Sequence, residues 1–193
     1  MSTGHQCLIY EGSPSPHLET ISACIKLRLS KNHRCLYMNS EPMVDALCSY
    51  LGAIGVDIDE ERSRGSLIFV SEPTHLAPDG AFDVERMMRL VKQLLEEALR
   101  DGFDGLFGSG DMAWELGPKK DLSKLLEYEW WLEQFLREHP QLKTICQYHL
   151  DTLPREALRT GSITHEMILV DETLSVPNPN FIRVERAVAM LDL

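Results

Sequence analysis

A chain of 193 residues, 44% hydrophobic and 25% charged, has room for one domain with a well-buried core and is cramped for two. Its formal charge of −11, from 19 basic and 30 acidic residues, argues against direct nucleic-acid binding, which needs a basic face to neutralise phosphates. Five scattered cysteines without a C-x-x-C pair argue against a disulfide framework or structural zinc site. Neither a signal segment nor an apolar run of the ~18 residues a membrane span requires is visible, so a soluble cytoplasmic protein is expected.

The first apolar run, QCLIY at 6–10, reads as a strand buried on both faces. His5 and Cys7 alternate on it and share a face, but two ligands do not make a metal site and none is assigned. The loop YEGSPSPHLET follows, where many α/β proteins hold phosphate. It has one glycine, Gly12, and Pro14 and Pro16 remove two N–H donors. It lacks G-K-[ST], and Lys26 lies about two turns too late. No conventional triphosphate site is expected; Ser13 or Ser15 caps the next helix, whose apolar stripe is Leu18, Ile21, Ile25 and Leu29.

A second strand, RCLYM at 34–38, ends in Asn39-Ser40-Glu41, and Pro42 opens a helix striped by Val44, Leu47, Leu51 and Ile54. Ser40 and Glu41 suit a helix start; alternatively Glu41 points into the same crevice as Glu11. After a strand at 66–70, Val84 to Arg100 is the clearest amphipathic helix, and DGLFG at 104–108 the fourth strand. GSGDMAWELG then reads as a flexible glycine turn, Gly108-Ser109-Gly110. Asp111 either caps a short helix or joins Trp114 as a pocket wall. A helix at about 122–138 ends before His139-Pro140. On it Trp130-Trp131 packs against the core or a subunit partner, and Tyr128-Glu129 is ambiguous. Strands at 143–148 and 166–170 close the pattern. Cys146, Tyr148 and His165 read as core residues, Tyr148 also as a pocket hydroxyl. Residues 1–182 form a single domain and 183–193 a tail or short helix.

Strand–helix alternation of this kind implies right-handed crossovers and a three-layer α/β/α sandwich with a mainly parallel sheet. The run from RCLYM to SLIFV resembles the segment after the first helix of KaiC-type RecA proteins, with Glu41 alone standing for the usual acidic pair. Residues 5–182 more closely resemble the sensory domain named for methanogens, methylotrophs and the dichloromethane regulator DcmR, the MEDS domain. The likeness rests on HQCLIYEG, RCLYMNSEPMVDAL, GDMAWEL, LLEYEWWLEQF, TICQY and NPNF in that order. The resemblance implies a degenerate RecA-like fold without a phosphate loop. It also implies a small-molecule sensor, for which small hydrocarbon derivatives are the suggested ligands and kinase or DNA-binding modules the usual outputs. The late strand CQYHLDTLP departs from it by lacking a basic cluster after the tyrosine.

Two functions follow as expectations. The first is a non-enzymatic sensory domain of a signalling or transcription-control system. Its ligand sits beyond the strand ends among Tyr10, Glu11, Gly12, Glu41, Ser109, Asp111, Trp114 and Tyr148. The Gly12 and Gly108–Gly110 loops close on it, and a separate partner such as a kinase or regulator is told. The second is a RecA/KaiC-like ATPase with Glu41 as base and Asp111 near magnesium, the one case in which ATP and Mg serve as cofactors. RecA-like domains commonly associate, so a homo-oligomer is compatible with either, although no interface is visible.

Overall fold

The computed structural model describes residues 4–13, 15–119 and 122–183. Seven strands form one sheet: β1 (His5–Tyr10), β2 (His33–Met38), β3 (Leu67–Val70), β4 (Gly105–Asp111), β5 (Leu142–His149), β6 (Met167–Leu169) and β7 (Ser175–Pro177). Their order is β3-β2-β4-β5-β1-β6-β7, and every pairing is parallel except the last, β6 with β7. The helices are α1 (Ser15–Leu29), α2 (Glu41–Ala53), α3 (Ile58–Ser63), α4 (Val84–Arg100), α5 (Met112–Glu115), α6 (Leu125–Glu138) and α7 (Arg155–Thr164).

Because the central strands are covered on both sides, their side chains divide into two cores by parity. Leu8, Cys35, Tyr37, Phe107 and Ile145 pack against Leu18, Ile21, Ile25, Leu47 and Leu51 of α1 and α2. Cys7, Leu36, Met38, Leu106 and Cys146 face Met87, Val91, Leu95, Leu132 and Leu136 of α4 and α6. This is the expected three-layer α/β sandwich.

The structure departs from the sequence reading in three places. Gly108-Ser109-Gly110 is not a turn: it continues β4, paired on one side with Leu36–Met38 and on the other with Thr144–Cys146. Gly110 answers to crowding: a Cβ there would stand 1.7 Å from Glu115 Oε1, whereas one on Gly108 would meet only an ordinary contact at 3.8 Å. Helices α3 and α7 and strand β7 were not expected. The anticipated strand at 166–170 is confined to Met167–Leu169. The segment 183–193 lies, apart from Arg183, outside the described residues. No helix among those residues is long and apolar enough to cross a membrane.

Candidate functional site

At the carboxyl ends of the strands, on the α1 side, register decides which side chains meet. Tyr10 lies opposite His149, and Asp111 opposite Gln147. The Tyr10 hydroxyl donates to Asp111 Oδ2 at 2.7 Å, and its ring is sandwiched between His17, at 3.8 Å between centroids, and His149, at 4.6 Å. Below this pair the Ser109 hydroxyl donates to the Ile145 carbonyl and accepts from Gln147 Nε2 at 2.9 Å. Burial and the Asp111 charge hold the Tyr10 phenol well above its ordinary pKa, so it stays a donor. Burial, then the nearby His149, lowers His17 to about 4, leaving it neutral at pH 7. The crest is therefore a stack of aromatic rings with the Asp111 carboxylate on the tyrosine hydroxyl and Asp151 beside His149.

The loop after β1 takes a left-handed turn at Gly12, φ +72°, and the Gly12 N–H donates to Asp151 Oδ2 at 2.8 Å. His149 Nε2 donates to the Gly12 carbonyl at 3.2 Å, since a carbonyl can only accept. A phosphate loop aims its backbone N–H groups at the ligand. Here the glycine N–H is committed to a carboxylate of the chain itself.

Asp111 ends β4 and caps α5: its Oδ1 accepts from the backbone N–H of Ala113 at 2.8 Å and of Trp114 at 3.3 Å. Both oxygens of Asp111 are thus engaged, one by Tyr10 and one by the helix start. Trp114 is half-buried, its ring 5.2 Å from that of His75. Glu11 is exposed beside Gly12, and Glu41 is exposed at the first turn of α2, where Ser40 makes no side-chain cap. Tyr148 does not join these residues. Its parity sends it through the sheet to the α6 side, where the buried hydroxyl donates to Glu129 Oε1.

Sequence reasoning missed the polar group on that second face. Glu129 of α6 meets His5 of β1, Cys146 of β5 and His165 at the end of α7, all buried, with their donor atoms within 4.8 Å of one another. Glu133, one turn along α6, accepts from His5 Nδ1 at 3.1 Å and pairs with Arg137. Burial opposes charge on His5, yet its hydrogen bonds to Glu129 and Glu133 raise its pKa. Burial, then the positive charge of His5, pushes His165 down to about 4. Glu115, between the two clusters, is raised well above the carboxylate range by burial and by the charges of Glu129 and Asp111. No local spacing joins positions 5, 129, 146 and 165; LLEYEWW was the only hint, in that a glutamate recurs on an apolar helix face.

The sequence profile of MEDS, the MEthanogen/methylotroph, DcmR Sensory domain, matches residues 4–166. The chain belongs to this family. A comparison with curated proteins finds no match. Among solved structures, a KaiC-like protein from the hyperthermophilic archaeon Pyrococcus horikoshii OT3 is similar at a TM-score of 0.57 and 15% identity. The match covers 86% of this chain and 71% of that one. At that identity the likeness shows the fold, a KaiC/RecA-like α/β sandwich.

This MEDS domain also has a surface cavity of about 420 Å³ between α4 and α6, with Met88, Trp131 and Phe135 among its lining. It lies away from both polar clusters. What the crest itself can do is limited by its donors. It offers stacked rings, a tyrosine hydroxyl and a carboxylate already bound to it, an arrangement suited to enclosing an organic molecule, while the Gly12 N–H that a phosphate loop would aim at its ligand is already held by Asp151.

Proposed function

We propose that this MEDS domain is a non-enzymatic sensor. It takes a small neutral or cationic organic molecule, of the size of a short hydrocarbon derivative, at the strand ends among Tyr10, Glu11, Gly12, Ser109, Asp111 and Trp114, with Glu41 at the rim. The observation that carries the reading is the Gly12 N–H held by Asp151, which occupies the place of a phosphate cradle with a negative charge. Family membership supports the sensory role. A ligand competing for the Tyr10–Asp111 hydrogen bond would release the start of α5 and, through His149 and Gly12, the entry to α1. The change at that surface is read by a separate signalling protein such as a kinase or transcription regulator.

The test is a calorimetric titration of the purified protein with Mg-ATP and with a panel of short alcohols, amines and haloalkanes. The expected result is no heat with millimolar Mg-ATP. One panel member saturates, and its affinity falls tenfold or more, about 1.4 kcal/mol, in Trp114→Ala and in Asp111→Asn. Saturable micromolar Mg-ATP binding would overturn the reading. Asp111, at the end of a central strand, would then stand near magnesium and Glu41 would be tested as the base of an ATPase.

A further inference from the structure

We propose that His5, Glu129, Cys146 and His165 form a four-ligand site for a zinc-type divalent ion, buried between the sheet and helices α6 and α7. Three of the ligand-to-ligand distances are 3.2 Å for His5 Nε2 to Glu129 Oε2, 3.5 Å for His165 Nε2 to Glu129 Oε2 and 3.7 Å for Cys146 Sγ to His5 Nε2. A tetrahedral shell with zinc–nitrogen and zinc–oxygen bonds of about 2.0–2.1 Å and a zinc–sulfur bond of about 2.3 Å has edges of about 3.3–3.6 Å. These three separations are close to those edges, and all four ligand atoms lie within 4.8 Å of one another.

Tautomers give the stronger argument. His165 Nδ1 faces the Gly161 carbonyl at 2.9 Å, which can only accept, so Nδ1 carries the proton and Nε2 the lone pair. Thr164 Oγ1, 3.1 Å from the same nitrogen, gives its own hydrogen to the Thr160 carbonyl and so also accepts. The Nε2 lone pair is thereby turned toward Glu129 Oε2 at 3.5 Å; buried His165 Nε2 has no hydrogen-bond partner, and Glu129 Oε2 has only His5 Nε2 beside it, at 3.2 Å. Two acceptors facing each other in a dry interior repel unless a cation lies between them. A proton on His5 answers Glu129 and Glu133; it does not bridge Glu129 to His165.

The surroundings complete the donor set as metal sites require. His5 Nδ1 donates to Glu133, which Arg137 in turn holds, and the Tyr148 hydroxyl donates to the other oxygen of Glu129. With Cys146 as thiolate and Glu129 as carboxylate, a divalent ion brings the four-ligand unit to neutrality. Mixed nitrogen, sulfur and oxygen donors favour zinc or cobalt over magnesium or calcium. Loading expels the thiol proton of Cys146 and the proton shared by His5 and Glu129 to solvent. Since the four come from both ends of the chain and are fully buried, the ion enters as the protein folds.

The experiment uses tag-free protein unfolded and refolded with zinc, and in parallel with Co2+, then freed of excess metal. Expected are one equivalent of metal per chain, the visible bands of tetrahedral cobalt and a near-ultraviolet thiolate-to-cobalt band. Cys146→Ser should lose the thiolate band and His165→Gln should lose at least tenfold in zinc affinity, whereas Cys48→Ser should leave the spectrum unchanged. Wild-type protein that refolds with less than a tenth of an equivalent of either metal would overturn the proposal. So would a cobalt spectrum that is octahedral, or one that persists in Cys146→Ser. None of these readouts depends on the crest ligand, so the site stands or falls separately from the sensor reading.

Discussion

Glycine to alanine in the middle of a helix normally stabilises by about 1 kcal/mol, because alanine has less unfolded freedom to lose. Gly161 of α7 should do the reverse. A Cβ there would lie 2.6 Å from Tyr148 Cζ and 2.8 Å from two further ring carbons, against an ordinary contact of 3.4 Å or more. Neither side can yield easily: the ring is fully buried on β5, with its hydroxyl tied to Glu129, and the glycine is part of a helix backbone. Overpacking of this kind costs about 1–3 kcal/mol. Losing the Tyr148 hydrogen bond to a buried carboxylate adds about 1–3 kcal/mol. After the helix gain is subtracted, Gly161→Ala should destabilise by roughly 1–5 kcal/mol. Gly52 of α2 has nothing within 4 Å of the added carbon, and Gly52→Ala should stabilise by about 0.5–1 kcal/mol. Urea denaturation of the two variants beside the wild type measures both. If Gly161→Ala unfolds at the same or higher urea than the wild type, the packing of α7 on Tyr148 described above is wrong.

Glu115 offers a pH test. Its folded pKa is raised above the unfolded value near 4.3, so the native state holds a proton that the unfolded chain releases. Stability should therefore be full below about pH 4 and fall, by up to about 1.4 kcal/mol per unit, as pH rises toward the folded value. Glu115→Gln should flatten that slope and be more stable than the wild type at pH 8; an unchanged slope would show that the carboxyl is solvated. At the crest, Tyr10→Phe and Asp111→Asn should each destabilise. Their double-mutant cycle should return a coupling of about 1–2 kcal/mol, and additive effects would mean that the 2.7 Å bond contributes nothing.

Burial on both faces left a legible mark. Runs such as QCLIY and RCLYM are apolar throughout because helices cover each side of the parallel sheet, and the α4 stripe is apolar because it faces only one. The family was legible too, from short motifs in order. Gly-Ser-Gly misled, because glycine signals a turn when nothing crowds it, and only the fold shows Glu115 lying over Gly110. The charged segment of α3 hid a helix, although Asp57 followed by Glu60 was a capping signal: the Asp57 side chain accepts from the Glu60 N–H. For the candidate site, Tyr10 and Asp111 were foreseen as neighbours, while Tyr148, placed with them, lies on the opposite face of the sheet. Its side follows from the pairing of Ile9 with Tyr148, and one sequence does not state register. The His5–Glu129–Cys146–His165 group was invisible for the same reason.

The place of β1 in the sheet bears on how the chain is made. It is made before every other strand of this sheet, yet its neighbours are β5 and β6, with His5 opposite Thr144 and Gln6 opposite Met167. At a synthesis rate of about 5–20 residues per second, QCLIY waits roughly seven to thirty seconds before β5 exists to receive it. During that wait α1, β2, β3, α4 and β4 can assemble beside one another, because β3 and β4 both pair with β2. The N-terminal strand then enters last, between strands that arrive after it, and closes the sheet from the inside. β1 thus stays an unpaired apolar strand through most of this domain's synthesis, the condition in which exposed strands are most prone to wrong pairing.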